Sequence, residues 1–531
     1  MYLQKLLDLK QTEKIAVVGL GQENLQFLDW LINIVKFDVT RIYIADQKSV
    51  NLSNPILKNF LLSPENIFSG ENYLQCLKLD DVKMVFKAPG IWSLKPEFCN
   101  FRDRIGQDSI HSSLIFFFER YREQIVAITG TKGKSTTSSL LNHLLSSSSH
   151  ITSHYCGNTT NISPYQFWTE LEQPIKLDEF FVVETSSFQL QDLRFAKISP
   201  KYGVITNYFI DHQDQHSKPE EYWAAKDTVF EFQTASDTTL VTKSVIGYTQ
   251  SDSAEKLTAV VSPELAHKVV DGFETTLQGE HNVLNIAQAI LMYLTIITKK
   301  AIELGNLSEV SLLFESERVN IQNSLNTYQP LAHRQEIFAQ FSSNIEIKTK
   351  KMNRSISLKV RFVDDGAATE PDAVIAAINT LTSNSNQYVW LFLTGVDKGI
   401  MLEHITQTII ETQFKNQLFQ IHYCGQVGQN ILSYIFKQYG QKDQAPLEVF
   451  KPTVSMHLQS KAQIVTEFTK WLNDKVMQLE EIHESDKINT LLSQDIELNI
   501  ALSPCGASFD EFANYQERSE WFKNHVNKLL I

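Results

Sequence analysis

The sequence predicts an α/β protein of three domains. Three stretches share one grammar, a short apolar strand, a glycine-containing turn and then a helix: Lys14–Gly21 (KIAVVGLG), Ile125–Lys134 (IVAITGTKGK) and, more weakly, Val360–Leu381 (VRFVDDGAATEPDAVIAAINTL). Strands that alternate with helical patterns build mostly parallel sheets. The length of 531 residues agrees, at roughly 150 residues per domain. No fixed-period repeat is present, which excludes a solenoid. The expected domains are residues 1–108, 109–331 and 332–531, with breaks at the polar stretch Phe98–Ser109 and after the polar run Asn320–Tyr328.

Composition narrows the function. With 48 basic and 61 acidic side chains the formal net charge is −13, which argues against nucleic acid and anionic membrane as partners, since both need a basic face. The 43% hydrophobic and 21% charged fractions are those of a globular chain. The five cysteines are scattered and never spaced C-x-x-C, so neither a disulfide framework nor a zinc pattern is expected, and a reducing cytoplasm is the expected home. The N-terminus lacks the apolar core of a signal peptide, and no uninterrupted apolar run reaches the ~18 residues of a membrane span.

Taken in chain order, the first turn is Gly19-Leu20-Gly21-Gln22-Glu23-Asn24, with Asn24 where a third glycine is usual. The next expected strand, Arg41–Asp46, ends in a carboxylate. The strongest signal follows, Gly130-Thr131-Lys132-Gly133-Lys134-Ser135-Thr136-Thr137, entered from the apolar run Ile125–Thr129 and leading into a helix through Leu145. A strand, a glycine loop and a helix N-terminus together make a phosphate cradle: glycines let backbone N–H groups approach phosphate oxygens, and the helix dipole favours the anion there. Lys134 would reach the β- and γ-phosphates and the Ser135 hydroxyl would bind Mg2+. The loop is one residue pair shorter than the common form. Phe180–Glu184 reads as a buried strand ending in an acid, which suits a metal beside a nucleotide. Gly203–Asn207 is another buried strand, followed by a cluster containing Asp211, His212, Asp214 and His216, a metal or substrate locus. Glu220–Val229 reads as a helix carrying Lys226. The first and third domains are therefore expected to be Rossmann-like and the middle one a P-loop ATPase domain on a mostly parallel sheet. The charged stretch Lys475–Glu497 reads as a solvated helical insertion.

Together the loop Gly130–Thr136, Glu184 with Thr185-Ser186-Ser187-Phe188-Gln189-Leu190, Asn207 with the segment 211–216, Ala224-Ala225-Lys226, Gly279-Glu280-His281-Asn282-Val283-Leu284-Asn285 and His333-Arg334 resemble the Mur ligases. These are ATP-dependent amide-bond ligases of peptidoglycan precursor synthesis. Ser186-Ser187-Phe188-Gln189-Leu190 and Leu502–Asp510 look most like the branch that adds D-glutamate to UDP-N-acetylmuramoyl-L-alanine. The resemblance implies an acyl phosphate made from ATP, which the amine of glutamate then attacks, in a cytoplasmic monomer. It implies Ser135 and Glu184 on one Mg2+, and His212 with a carbamylated Lys226 at a second; forming that carbamate needs a neutral amine. Asn282, Asn285, Arg334 and Asp365 would contact ATP. Asn158, Ser186 and Gln189 would meet the UDP substrate, joined at the first domain by Gln22, Asp46 and Lys48. Thr369, Lys398, Ser508 and Tyr515 would form the glutamate pocket, where a cation and several hydrogen-bond donors suit a dicarboxylate.

The chain departs from the family at two places. Ala88-Pro89-Gly90 replaces a Ser-Pro-Gly, and Asp364-Asp365-Gly366-Ala367-Ala368-Thr369-Glu370 stands where Asn-Asp-Ser-Lys-Ala-Thr-Asn is usual. The second loses a serine and a lysine beside the amino-acid pocket, so L-glutamate or another acidic residue stays open as the substrate. The alternatives from other classes are a related ligase and a P-loop regulatory NTPase, which would need neither Lys226 nor Lys398.

Overall fold

The computed structural model describes residues 2–530 except 53, 59–62, 94, 158–161, 210–218, 249–258, 276, 278, 304–309, 351–352, 398–401, 416, 440–459, 482–483, 485–487, 489–494, 509–510 and 513. Of 299–303, 310–316 and 439 it describes only the helical backbone. The chain forms two compact units: Met1–Thr276 with Glu280–Tyr328, and Leu277–Gly279 with Gln329–Ile531.

The first unit holds two sheets. In one, β1 (Lys14–Val18), β2 (Ile42–Asp46), β3 (Ile67–Ser69), β4 (Val82–Lys87) and β5 (Ile110–Ser112) lie parallel in the order β3-β2-β1-β4-β5. Its last strand falls beyond the break expected at 108. In the other, β6 (Ile125–Thr129), β7 (Thr152–Gly157), β8 (Glu179–Glu184), β9 (Tyr202–Ile205), β10 (Thr238–Thr242) and β11 (Ala259–Val261) are parallel in the order β11-β10-β9-β6-β8-β7. Every residue of β6 and β8 is buried, as in a parallel sheet with both faces covered. The chain runs from β6 to β7 and β8 on one side and then crosses to β9 and β10 on the other. Ligands bind at such a switch point, outside the carboxyl ends of the strands.

One continuous apolar core serves both sheets: Ile15, Phe27, Trp30 and Phe86 pack in the same cluster as Phe117, Ile125, Phe181 and Leu190. A buried polar network crosses between them as well. Lys87 at the end of β4 pairs with Asp192 at 2.7 Å, both side chains essentially inaccessible, and Ser93 donates to the same carboxylate at 2.8 Å. Arg102 donates to the Ser93 carbonyl and stacks on Phe195 at 4.3 Å. Glu280–Thr298 is the one described stretch apolar enough in length and composition to cross a membrane, and Ile286, Ala287, Ala289, Ile290 and Met292 of it are buried in this unit.

The second unit has a mixed sheet of β12 (Glu336–Lys348), β13 (Asn353–Asp364), β14 (Gln387–Thr394), β15 (Leu418–Tyr423) and β16 (Ile496–Cys505), ordered β12-β13-β16-β14-β15, with only β12 antiparallel to its neighbour. The strand expected near Val360 begins earlier, at Asn353, because it pairs back on β12 as a long hairpin. The charged stretch Lys475–Glu497 is helical where it begins, as expected. Its described start is the end of the helix Lys461–Glu481, and its end enters the central strand β16. Ile464, Phe468, Leu472 and Val476, each four residues apart, form the buried stripe of that helix against Tyr388, Trp390 and Phe419. Its charged face dominates the composition and hid the stripe.

Candidate functional site

The phosphate loop leaves the buried end of β6. Gly130 (φ 142°) and Gly133 (φ 80°) both adopt backbone that a Cβ strains. A Cβ at Gly130 would also collide with the Thr206 hydroxyl, and one at Gly133 with the Asn285 amide. The helix Lys134–Ser146 starts immediately after, and Gly133 has no side chain to cap its first N–H groups. The N-terminus of a helix favours an anion.

Amides, hydroxyls and two lysines brace the loop. The Asn207 amide accepts the Lys132 N–H at 2.8 Å and donates to the Lys132 carbonyl at 3.1 Å. The Thr131 N–H donates to the Asn207 carbonyl at 3.0 Å, and the Tyr222 hydroxyl to Thr131 Oγ1 at 3.2 Å. Lys134 Nζ donates to the carbonyls of Gly130 and Thr131 at 3.0 and 2.9 Å. Lys226, only 1% exposed, reaches in from the helix Pro219–Glu231: its Nζ lies 2.9 Å from the Gly130 carbonyl and 4.5 Å above the Tyr222 ring. Thr136 and Thr137 follow in the first turn of the loop helix. Thr137 donates to Asn285 Oδ1 at 3.3 Å, and Asn285 donates to Asn282 at 3.1 Å, so these two residues expected to contact ATP are tied to the loop helix through Asn285.

Glu184 ends β8, directly beside β6, with Ile128 as its register partner. It is 2% exposed and accepts the Tyr155 hydroxyl at 3.2 Å. Thr129 on β6 donates to the Thr185 carbonyl at 2.9 Å, and the Thr185 N–H donates to Ile128 at 2.9 Å, locking the two strand ends together. Ser135, 3% exposed, opens the loop helix next to them. A carboxylate and a hydroxyl at adjoining strand and helix ends form the hard-oxygen donor set that Mg2+ prefers, so the residues present fit that ion. His212, expected at the second metal, lies outside the described residues, as do Asn158 and Lys398.

On the UDP side the Asp46 carboxylate accepts the Leu20 N–H at 2.7 Å and the Lys48 N–H at 2.8 Å, which ties the first glycine turn to the end of β2. The side chains of Gln22 and Lys48 are exposed there. Ser186 and Gln189 form a capping box on the helix Ser187–Phe195. Gln189 is 1% exposed; its amide oxygen accepts the Ser186 N–H and its nitrogen donates to Glu23. Glu23 also accepts Ser113, and burial pushes its carboxyl above the usual range. Gln189, expected to meet the UDP substrate, also joins the helix after the first glycine turn to the segment after Glu184.

The second unit carries Arg334, Asp365, Thr369, Ser508 and Tyr515. His333 (φ 65°) pairs with Asp364 at 2.7 Å, its N–H donates to Glu336, and Lys523 bridges Glu336 and Asp364 at 2.8 and 3.4 Å. His333, Glu336 and Asp364 approach closely enough to share a cation, and the Lys523 ammonium already stands against both acids. Asp365 accepts Ser503 and the Gln335 N–H; burial pushes its carboxyl up to about 7, with Ser503, Gln335 and Arg334 pulling the other way. The Thr369 N–H donates to Ala367, Ser508 is buried, and the Tyr515 ring stands edge-on to His333 at 6.1 Å. A Cβ at Gly366 would overlap the Ser519 hydroxyl of the helix Tyr515–Leu530, and Arg518 of that helix donates to the Gly366 and Gly506 carbonyls.

Sequence reasoning passed over Thr206, Tyr222 and Tyr155. Tyr222 stands one helical turn before Lys226, and Tyr155 shares a strand face with Gly157; both spacings were open to notice.

A phosphate loop, a strand-end carboxylate and a buried helix lysine at one sheet edge define a P-loop nucleotide enzyme. The Mur ligase middle domain family matches residues 128–293. UDP-N-acetylmuramoylalanine–D-glutamate ligase from Clostridium botulinum (strain Loch Maree) is 24% identical over 99% of this chain and 99% of its own. The ligase of the same name from Clostridium kluyveri is 24% identical over 98% of this chain and 99% of its own. The crystal structure of UDP-N-acetylmuramate-alanine ligase from Thermotoga maritima aligns with 97% of this chain and 99% of its own at 14% identity, TM-score 0.48. Residues 128–293 carry a Mur ligase middle domain, and the likeness to the named ligases runs the length of the chain at 24% identity. The chain is a Mur-type, ATP-dependent amide ligase of peptidoglycan precursors, and the family uses ATP and Mg2+.

Proposed function

We propose that this ligase joins glutamate, in its D form, to the carboxylate of UDP-N-acetylmuramoyl-L-alanine in the cytoplasm, acting as a monomer whose domains correspond to the three sheets. The observation that carries the reading is the convergence of the loop 130–136, Glu184 and Lys226 at the ends of β6 and β8, in a chain that aligns end to end with relatives named for D-glutamate addition.

The substrate carboxylate attacks the γ-phosphorus of ATP; the acyl phosphate forms and ADP leaves. The glutamate amine then attacks the acyl carbon, expels phosphate and loses its proton, leaving the amide. Such phosphoryl transfer asks mainly for positioning and charge neutralisation. The loop N–H groups hold the phosphates, and Lys134 swings from its loop carbonyls to the transferring group. Bound Mg2+ adds charge neutralisation. Ser135 and Glu184 would hold one ion, and Lys226 as a carbamate, with His212, a second. Asn282, Asn285, Arg334 and Asp365 serve ATP; Asp46, Lys48, Gln22, Asn158, Ser186 and Gln189 the UDP substrate; Thr369, Lys398, Ser508 and Tyr515 glutamate.

A second reading rests on Gly366-Ala367. With neither serine nor lysine there, L-glutamate or another acidic amino acid is the competing substrate. The test is phosphate release by the purified protein with ATP, Mg2+, UDP-N-acetylmuramoyl-L-alanine and either glutamate isomer. Amide formed with the D isomer supports the first reading and amide formed only with the L isomer the second. Hydrolysis indifferent to the amino acid, with no amide product, would sink both.

A further inference from the structure

We propose that Tyr155 is a positioning residue for Glu184, holding its carboxylate in the orientation that receives the metal ion. The inference rests on the reading of Glu184 as a metal ligand, and it adds a residue that no motif supplies.

Tyr155 lies on β7, the edge strand next to β8. The register pairs Tyr155 with Val182 and Gly157 with Glu184. Paired residues of neighbouring strands share a face, and residues two apart on one strand share it too. Tyr155, Gly157, Val182 and Glu184 therefore line one face. Gly157 opposite Glu184 is glycine of necessity: its φ is 107°, and a Cβ there would collide with the Glu184 carbonyl. With no side chain at 157, the diagonal neighbour Tyr155 reaches up the face and sets its hydroxyl 3.2 Å from Glu184 Oε2.

A neutral phenol has one proton to give, and a carboxylate can only accept, so the direction of this bond is fixed. It occupies one oxygen of Glu184 and opposes rotation of the carboxylate. Groups that orient a metal ligand in this way change metal affinity by about 10–100-fold when removed. The ring of Tyr155 is half-buried at a sheet edge, so the hydroxyl can be removed without opening a cavity in the core.

The test compares Tyr155→Phe and Glu184→Gln with the full-length wild type, using Mn2+ and a non-hydrolysable ATP analogue. Electron paramagnetic resonance counts free Mn2+, so turnover is not needed. Tyr155→Phe is expected to weaken Mn2+ binding on the order of tenfold, with the thermal midpoint and the KM for glutamate unchanged. Glu184→Gln is expected to weaken it further. Wild-type Mn2+ affinity in Tyr155→Phe, with clear weakening in Glu184→Gln, overturns the role of Tyr155 alone. Wild-type affinity in both variants removes Glu184 from the metal site and takes the inference with it.

Discussion

The loops 130–136 and 364–369 are both turns after a strand, each with a glycine and each expected to touch ATP or the amino acid, yet they are held by opposite means. The first is braced by amides and hydroxyls, from Asn207, Thr131, Tyr222 and Asn285, with a single buried amine at Lys226. The second is braced by charge: Asp364 with His333 and Lys523, and Arg518 on the Gly366 carbonyl. Their glycines differ as well. Gly130 and Gly133 are needed for the left-handed backbone of the turn itself, whereas Gly366 is needed because Ser519, from a helix far along the chain, fills the space of its side chain. A loop fixed by its own backbone carries its specification in a few consecutive residues. A loop fixed by a neighbour shares that specification with the neighbour.

The largest expected effect tests the first kind. Lys134→Ala should cut turnover by a thousandfold or more, on the order of the loss of a charge contact made in the transition state. Lys134 Nζ donates to two carbonyls of its own loop, so the thermal midpoint, measured beside turnover, reports what the loss of those bonds costs. Residual activity within tenfold of wild type would show that the loop does not carry the phosphates.

The same contrast decides what could be read from the sequence. The loop 130–136 and the strand end at Glu184 were legible because each is a local pattern: an apolar strand, then glycines, then a helix, or four apolar residues and an acid. Pairing in the sheet then brings them together, and that is how β6 and β8 lie. The bond from Gln189 to Glu23 was not legible, because the two are distant in sequence and only the packing of the two sheets introduces them. The buried helix Lys461–Glu481 was hidden by its own charged face. In the loop 364–369 Gly366 and Ala367 read as the loss of a serine and a lysine. At Gly366 the Ser519 hydroxyl fills the space of a side chain, and Ser519 shares no local pattern with the loop.

Burial of the Asp365 carboxyl should make the second loop sensitive to pH. Burial raises the folded-state pKa of Asp365 to about 7, from 3.8 as the ordinary value. The folded unit therefore binds a proton that the unfolded chain has released. Its contribution is full below pH 3.8 and is lost as pH rises through 7. The ceiling is roughly 4 kcal/mol at about 1.4 kcal/mol per pH unit. Asp365→Asn keeps the shape and cannot ionise. In urea titrations from pH 5 to 8 the variant's unfolding midpoint for this unit should fall less than that of the wild type. Parallel pH profiles would mean that Asp365 stays charged and that the charge bracing satisfies it.

The smallest effect is the sharpest test of how each glycine is specified. Gly366→Ser restores the residue usual in the family, but its side chain must enter the space held by the Ser519 hydroxyl. Overpacking of this kind costs about 1–3 kcal/mol. Ser519 lies in the second turn of the helix Tyr515–Leu530 and is fully buried, so Ser519→Gly empties the space at a helix-propensity cost of about 1 kcal/mol or less. Gly366 has no left-handed φ, so serine fits its backbone. The double variant should therefore be more stable than the sum of the two single changes predicts, by about 1–2 kcal/mol of coupling. At Gly130 the obstacle is partly the backbone: φ is 142°, and trimming Thr206 opposite removes only the clash. Gly130→Ala with Thr206→Ala should recover much less, because no neighbour can relieve strain that lies in the turn itself. Equal recovery at both sites would erase the distinction between a glycine set by its own turn and one set by its neighbour.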